Sequence, residues 1–184
     1  MQFEKYDVEY YENLLEMYAG SMETISSVRW KMIEPIKAKT ILDYGSGNNA
    51  FSLFRPDGVT VDSYDIGVIS EKAKYPQTGI RHDKYDLICL WDVMEHVDWE
   101  KKPDEDMLAA IASAGALAAT IPIKKDETVM EEWKHYKPGE HLTYFAVWEV
   151  ILFANNLGFE LLYHGTPECP PRSDIHSFLF RRKL

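Results

Sequence analysis

The stretch Thr40–Phe51, TILDYGSGNNAF, decides how the chain is to be read. TILDY is a short, mainly apolar run of the kind that lies buried on both faces inside a parallel sheet. It passes directly into Gly45 and Gly47 and then into Ala50 and Phe51, where a helical pattern begins. A glycine turn that leaves the carboxyl end of a buried strand and opens a helix lets a ligand approach the backbone closely, with helix amides facing it. The string from Gly45 to Ala50 also satisfies the G-x-G-x-x-G/A pattern of dinucleotide sites, so by itself it leaves the cofactor open. Two acids narrow the choice. Asp43 lies inside the strand, where a dinucleotide fold places an apolar residue, and a buried carboxylate there needs partners. Asp65 follows Gly45 by 20 residues at the end of the next strand, where a carboxylate can accept both ribose hydroxyls.

Outward from this stretch the chain alternates. Residues 8–34 carry apolar side chains at helical spacing, broken at Gly20 and Ser21, and predict two N-terminal helices ended by Pro35. After TILDY come a helix through Phe51 and Phe54, a strand VTVDSYD, a strand YDLICLW, a helix over about Asp104–Ser113 and a strand ALAATIPI. Strands alternating with helices give an α/β domain. The tail changes rhythm: TYFAVWEVILFANNLG is an apolar helix closed by Gly158, and FELLYHG and IHSFLFRR around a proline-rich turn predict an antiparallel hairpin. We therefore expect one domain over 1–184, with a helical cap over 1–37 and a Rossmann-like core over 38–184.

Composition sets the outer bounds. A chain of 184 residues, 46% hydrophobic and 13% aromatic, buries one ordinary core. A net charge of −10 argues against a surface that tracks phosphates, so nucleic acid is not the expected partner. Cys89 and Cys169 form neither a disulfide framework nor a metal-ligand spacing, which points to a reducing cytoplasm. No stretch approaches the roughly 18 apolar residues of a membrane span, and the acidic, aromatic N-terminus carries no targeting pattern.

Taken together, ILDYGSGNNAF, VDSYDIG, YDLICLWDVMEHV and the closing helix and strand pair resemble the class I S-adenosylmethionine-dependent methyltransferases over nearly the whole chain. The resemblance is closest to small single-domain members with a Glu-His pair after the fourth strand. It implies a Rossmann-like methyltransferase sandwich, seven-stranded when complete, mostly parallel and ending in an antiparallel hairpin. It also implies S-adenosylmethionine as cofactor, with Asp43, Gly45, Ser46 and Gly47 at the methionine end, Asp65 and Ile66 at the ribose, and Trp91 and Asp92 at the pocket edge. The chain departs from the family in two places. Asn49 stands where a third glycine is common, and only 19 residues separate Asp65 from Tyr85, so the region between strands two and four is shortened.

Methyl transfer is an in-line displacement, which asks the protein to position the acceptor and, for a poor nucleophile, to take its proton. Glu95, His96 and His141 are the catalytic candidates, with Asp92 beside them at the strand exit and His141 expected to begin the penultimate helix. His135, His164 and His176 are read as surface or strand-edge residues. Arg29 and Trp30, with Tyr6, Tyr10 and Tyr11, are read as packing groups near the cofactor. The stretch also resembles the small-RNA 3′-terminal and ubiquinone-pathway O-methyltransferases, in which an acid, a Glu-His pair and a later histidine hold a divalent metal. That likeness implies a metal set of Asp92, Glu95, His96 and His141, with Asp92 where those families have Glu. The expectation is thus O-methylation of a small molecule or biosynthetic intermediate, possible metal assistance included. The alternatives are a catalytically silent cofactor-binding protein of the same fold and, third, a nicotinamide-dependent oxidoreductase. Oligomeric state is not legible in the sequence.

Overall fold

The computed structural model describes residues 21–47, 49–65, 79–80, 84–101, 105–169, 172 and 174–184. Its main elements are α1 (Met22–Ile33), β1 (Thr40–Tyr44), α2 (Ala50–Leu53), β2 (Thr60–Tyr64), β3 (Leu87–Trp91), α3 (Glu105–Ser113), β4 (Ala116–Pro122), α4 (Val147–Asn156), β5 (Phe159–Gly165) and β6 (Ile175–Arg182). The strands form one sheet in the order β2-β1-β3-β4-β6-β5. β1 to β4 are parallel, β6 runs antiparallel to β4, and β5 pairs antiparallel with β6 and so runs in the direction of the first four. The mostly parallel sheet with a closing hairpin is the expected one.

Burial follows from the sequence of the central strands. Every residue of β3 (LICLW) and of β4 (ALAATIP) is buried, as continuous apolar runs between two helical layers require. Alternate side chains point to opposite faces. Leu42, Ile88, Leu90, Leu117 and Phe178 meet Met107 and Ile111 of α3 and Val150 and Ala154 of α4. Ile41, Leu87, Cys89 and Trp91 meet Ile33 of α1, Phe51 of α2 and Val61 on the other face. Arg182 ties the end of β6 back to the α3–β4 turn, donating to the carbonyls of Ala114 and Ile111.

Several expected boundaries move. α2 is a single turn, with Phe54 at its C-cap, where a longer helix through Phe54 was expected. α4 begins at Val147 instead of Thr143, because Ala146 is extended and its amide donates to the Glu149 carboxylate at 2.7 Å. His141 therefore lies on the loop before α4 and does not start it. The described residues contain six strands, with none between Tyr64 and Leu87; the Gly79 amide donates to the Ser63 carbonyl at 3.1 Å on the outer side of β2. The helix expected before Gly20, Tyr6, Tyr10, Tyr11 and Ile66 fall outside the described residues. Among the described residues no helix is long and apolar enough to cross a membrane.

Two polar clamps hold the amino ends of the strands. Asp86 accepts from the amides of Lys39 and Thr40 at 2.8 and 3.0 Å, fixing the start of β1 beside the start of β3. The Tyr85 hydroxyl donates to Asp62, a fully buried carboxylate in β2, at 2.8 Å. Tyr85→Phe is therefore expected to lower the unfolding free energy by about 1–3 kcal/mol, the cost of leaving a buried acceptor short of one bond. Urea titration should show an earlier midpoint with an unchanged slope; an unchanged midpoint would remove this clamp from the account.

Candidate functional site

The chain leaves β1 toward β2 on one side, while β3 leads to β4 on the other. The strand order thus reverses between β1 and β3, and ligands of open α/β sheets bind outside the carboxyl ends at such a point. Gly45, Ser46 and Gly47 sit there. Gly45 and Gly47 have φ of 75° and 52°, the left-handed region that glycine enters without cost. A Cβ on Gly45 would strike Val93 Cγ2. The amides of Gly45 and Ser46 both donate to the Tyr64 carbonyl, and the Gly47 amide donates to Asp65 Oδ2 at 2.9 Å. Asp65 therefore closes the loop, and a carboxylate retains further acceptor positions for a ligand. Asn49 also takes a left-handed φ of 67°, as asparagine tolerates, and its side-chain oxygen accepts from Ser52 and Ser63. Trp30 of α1 stacks on Phe51 at 4.4 Å and donates to its carbonyl, which makes it a packing group, as expected.

Asp43 is 1% exposed, and burial raises its carboxyl to about 7, with Arg29 pulling it down and Asp65 pushing it up. Its Oδ1, Ser46 Oγ and Trp91 Nε1 are buried without hydrogen-bond partners. The three belong to the carboxyl ends of β1 and β3.

Asp92 follows Trp91 with a left-handed φ of 58°, a costly conformation for aspartate that its surroundings hold in place. Arg172 grips it with two nitrogens at 2.8 Å each, Arg29 reaches it at 3.1 Å, and the Thr120 hydroxyl bonds it from β4. Both arginines also bind Glu168, at 2.6 Å and 2.7 Å, and the Glu168 side chain is wholly buried. Arg29 further lies over the Trp91 ring at 4.8 Å. Burial alone would raise the Asp92 carboxyl, but Arg172 and Arg29 outweigh it and hold it well below the usual carboxylate range. Two cations and two anions thus alternate across α1, the β3 exit and the β5–β6 connection.

The 3₁₀ turn Met94–His96 carries the next group. The Glu95 carbonyl accepts from the amides of Leu142 and Thr143, and the Thr143 hydroxyl donates to the Val97 carbonyl, so the loop before α4 is docked onto this turn. Docking brings one ligand atom each of Glu95, His96 and His141 within 4.8 Å of one another. Asp92 is not in that group; its oxygens are engaged by the arginines and Thr120, and the structure places it as the anchor beside the cluster. His96 Nδ1 donates to the Glu140 carbonyl at 3.0 Å, which leaves Nε2 as its lone-pair nitrogen. Burial lowers His96, and burial followed by His96 and Lys137 lowers His141 to about 4, so both imidazoles are neutral near pH 7. Burial, with Asp92 adding to it, pushes Glu95 well above the carboxylate range. Glu95 is 3% and His141 6% exposed, and Glu95 Oε2 and His141 Nδ1 have no hydrogen-bond partner.

The sequence reading missed three contributors. Arg172 and Glu168 lie in what reads as a proline-rich turn, and their bonds to Asp92 and Arg29 span up to 139 residues, beyond any local pattern. His135, read as a surface residue, is partly buried, with its ring parallel to that of His141 and Nε2 buried without a partner. His164 and His176 are where they were expected, paired across β5 and β6 at 2.8 Å.

The family model described as a methyltransferase domain matches residues 24–164. The chain belongs to that family. The expected class I, S-adenosylmethionine-dependent methyltransferase is borne out, and the nicotinamide alternative is set aside. No curated protein matches the sequence. Among solved structures, the magnesium protoporphyrin IX methyltransferase of Synechocystis PCC 6803 with bound SAH has a TM-score of 0.65 at 17% identity, covering 98% of this chain and 97% of that one. The mitomycin 7-O-methyltransferase MmcR has a TM-score of 0.64 at 13% identity, over 100% of this chain and 61% of that one. The 1,6-didemethyltoxoflavin-N1-methyltransferase of Burkholderia thailandensis has a TM-score of 0.60 at 11% identity, over 96% and 85%. Oxygen and nitrogen methylation thus share this architecture, and the fold of the methyltransferase does not choose its acceptor.

The charge network makes a pH-dependent claim. Breaking a buried ion pair by removing one partner costs about 3 kcal/mol, so Arg172→Met should destabilise the methyltransferase by about that much at pH 7. Because Asp92 is depressed in the folded state, its contribution is complete above the ordinary aspartate value near 4 and is lost as the pH falls further. The gap between wild type and Arg172→Met in denaturant titrations should therefore be constant above about pH 5 and narrow progressively as the pH falls below 4, and a gap that stays at its neutral-pH size down to pH 2 would contradict the assignment.

Proposed function

We propose that this methyltransferase methylates an oxygen of a small molecule, assisted by a divalent cation held by Glu95, His96 and His141. The observation that carries the reading is the convergence of one carboxyl group and two neutral imidazoles, with Glu95 Oε2 and His141 Nδ1 buried and without a hydrogen-bond partner among the described residues. Buried polar atoms are otherwise hydrogen-bonded almost without exception, so such a group fits a ligand that completes it. A cation there would polarise an acceptor oxygen and lower its pKa, which suits an acceptor with two vicinal oxygens, a diol or a catechol. The bond from His96 to the Glu140 carbonyl orients its ring as metal-binding histidines are commonly oriented. Should the cation be dispensable, the same fixed tautomer leaves His96 Nε2 to accept the acceptor's proton. The net charge of −10 favours a small acceptor over a nucleic acid.

At the carboxyl ends of β1 and β2 and in the loop after β1, the residues that fit S-adenosylmethionine are Asp43, Gly45, Ser46, Gly47 and Asp65. The cofactor supplies a methyl group on a cationic sulfur. The unpartnered Asp43 Oδ1, Ser46 Oγ and Trp91 Nε1 offer an acceptor, a hydroxyl and a donor to its polar methionine end. Ile66, expected at the ribose, lies outside the described residues.

Metal analysis after dialysis is expected to find about one divalent cation per chain, lost in His96→Ala and His141→Ala. S-adenosylhomocysteine affinity, read by calorimetry, should survive both changes. A wild type free of metal and unable to bind Mn²⁺ or Zn²⁺ would end the metal reading. Methyl transfer to catechols then separates an enzyme from a silent binder.

A second outcome follows from Asp43. It sits near 7 in the free protein, and a cationic ligand favours its ionised form, so binding below pH 7 must first remove a proton. S-adenosylmethionine affinity should weaken from pH 8 to pH 6 by up to about tenfold, and Asp43→Asn should flatten the profile. A flat wild-type profile would separate Asp43 from the cofactor.

A further inference from the structure

Beyond the atoms already assigned, two more buried side-chain nitrogens have no hydrogen-bond partner among the described residues: Trp133 Nε1 and His135 Nε2. Both belong to the loop between β4 and α4, which also carries His141. Trp133 is 5% exposed. Its ring meets that of His135 edge-on at 5.4 Å and that of Tyr144 at 6.1 Å, and those two rings stand 6.4 and 6.3 Å from His141. The four rings thus close a circuit, with His141 at one corner and Trp133 across from it. Backbone bonds hold the circuit in shape. The Tyr136 amide donates to the Trp133 carbonyl at 2.8 Å, the His141 amide to the Lys137 carbonyl at 2.9 Å, and the Lys137 amide to the Tyr144 hydroxyl at 3.1 Å. His135 is within electrostatic reach of Asp92 and Arg172, which places this part of the loop near the β3 exit.

Packing accounts for the rings and leaves the nitrogens unexplained. An unmade bond at a buried polar atom is a cost that phenylalanine at both positions would avoid. The indole restricts what can complete it, because its N–H only donates and has no lone pair for a cation. A cation held by Glu95, His96 and His141 therefore does nothing for Trp133; an oxygen does. Trp133 is two ring contacts from His141, so an oxygen bound there is remote from any oxygen at the cation.

We propose that Trp133 and His135 form a second subsite for the methyl acceptor, where the indole N–H and the imidazole hydrogen-bond a carbonyl or carboxylate oxygen carried away from the oxygen that is methylated. The inference rests on the small-molecule diol reading above and narrows it. A diol with a bare hydrocarbon end leaves both nitrogens unmade, whereas one with an acyl or carboxyl substituent completes them. A site built to hydrogen-bond a substrate group discriminates against the analogue that lacks it.

The test is calorimetry on the full chain with S-adenosylhomocysteine and Zn²⁺ present. It compares 3,4-dihydroxyacetophenone, 3,4-dihydroxybenzoate and 4-methylcatechol in wild type, Trp133→Phe and His135→Phe. Wild type should bind the ketone or the carboxylate at least about fivefold more tightly than 4-methylcatechol, the usual worth of one hydrogen bond, and the two arms tell a neutral from an anionic partner. Each variant should bring that ratio close to one. Equal affinities in wild type, or an unchanged ratio in either variant, would overturn the subsite and leave the metal-assisted reading standing, with an ordered water as the partner of the two nitrogens. Failure of wild type to bind any of the three would overturn the subsite and the diol reading together. If the variants fail to fold, the wild-type indole signals decide: the Trp133 Nε1 proton must move further with the favoured catechol than with 4-methylcatechol, and equal shifts overturn the assignment.

Discussion

Arg29, Asp92, Glu168 and Arg172 form an alternating square of charges over the carboxyl edge of the sheet, and the site is organised around it. Asp92 needs it most, because a left-handed backbone at the strand exit is unfavourable for aspartate and persists only when surroundings over-determine it. The arginines and Thr120 do so with hydrogen bonds to both of its oxygens. Fixing that residue fixes the direction in which the chain leaves β3, and with it the turn carrying Glu95 and His96. Such a network is weak evidence for stability, since an apolar replacement of the whole set can be as stable. Its value is specificity of position: one geometry for the turn, reached from three separate parts of the chain.

The network also settles charge. The four groups sum to zero, so neither arginine is a spare cation waiting for an anionic acceptor. Trp91 lies beneath the Arg29 guanidinium. The unpartnered atoms belong to Asp43, Ser46 and Trp91 at the carboxyl ends of β1 and β3 and to Glu95 and His141 on the turn after β3 and the loop before α4. Trp91 and Asp92 are adjacent residues of one strand exit, so a shift in the turn would disturb the surroundings of both.

How much of this was legible follows from the range of each interaction. TILDY, LICLW and ALAATIP announce themselves because a strand buried on both faces must be apolar throughout. The glycine loop and Asp65 were readable because the loop needs positive φ and because the acid closes it from a fixed distance along one β-α-β unit. The Glu95, His96 and His141 group was legible from its place at the exit of β3 and through resemblance, whereas the arginine partners of Asp92 beside it were not. Asp92 is one methylene shorter than the glutamate it replaces, and its side chain is taken by arginines that no local pattern connects to it. Glu168, Arg172 and His135 share this cause: charges and imidazoles in loops look solvated, and only the three-dimensional arrangement shows Glu168 buried and Arg172 and His135 partly so.

The compressed crossover from β1 to β2 shows how the fold tolerates such departures. Gly45 to Val59 is all that links the two strands, and only Ala50–Leu53 is helical. A longer helix would satisfy its first amides internally and stand its amino end at the ligand. Here the loop satisfies itself instead, with Gly45 and Ser46 bonded to Tyr64, Gly47 to Asp65, and Asn49 capped onto Ser52 and Ser63. Asparagine at the third position supplies what a glycine could not, a side-chain oxygen that knits the loop to β2. The loop's shape is thus set by side chains of the neighbouring strand, which preorganises it where a long helix dipole is missing. In the proposed site, recognition of the cofactor's methionine end would fall to side chains, the buried carboxyl of Asp43 and the donors of Ser46 and Trp91, more than to a helix amino terminus.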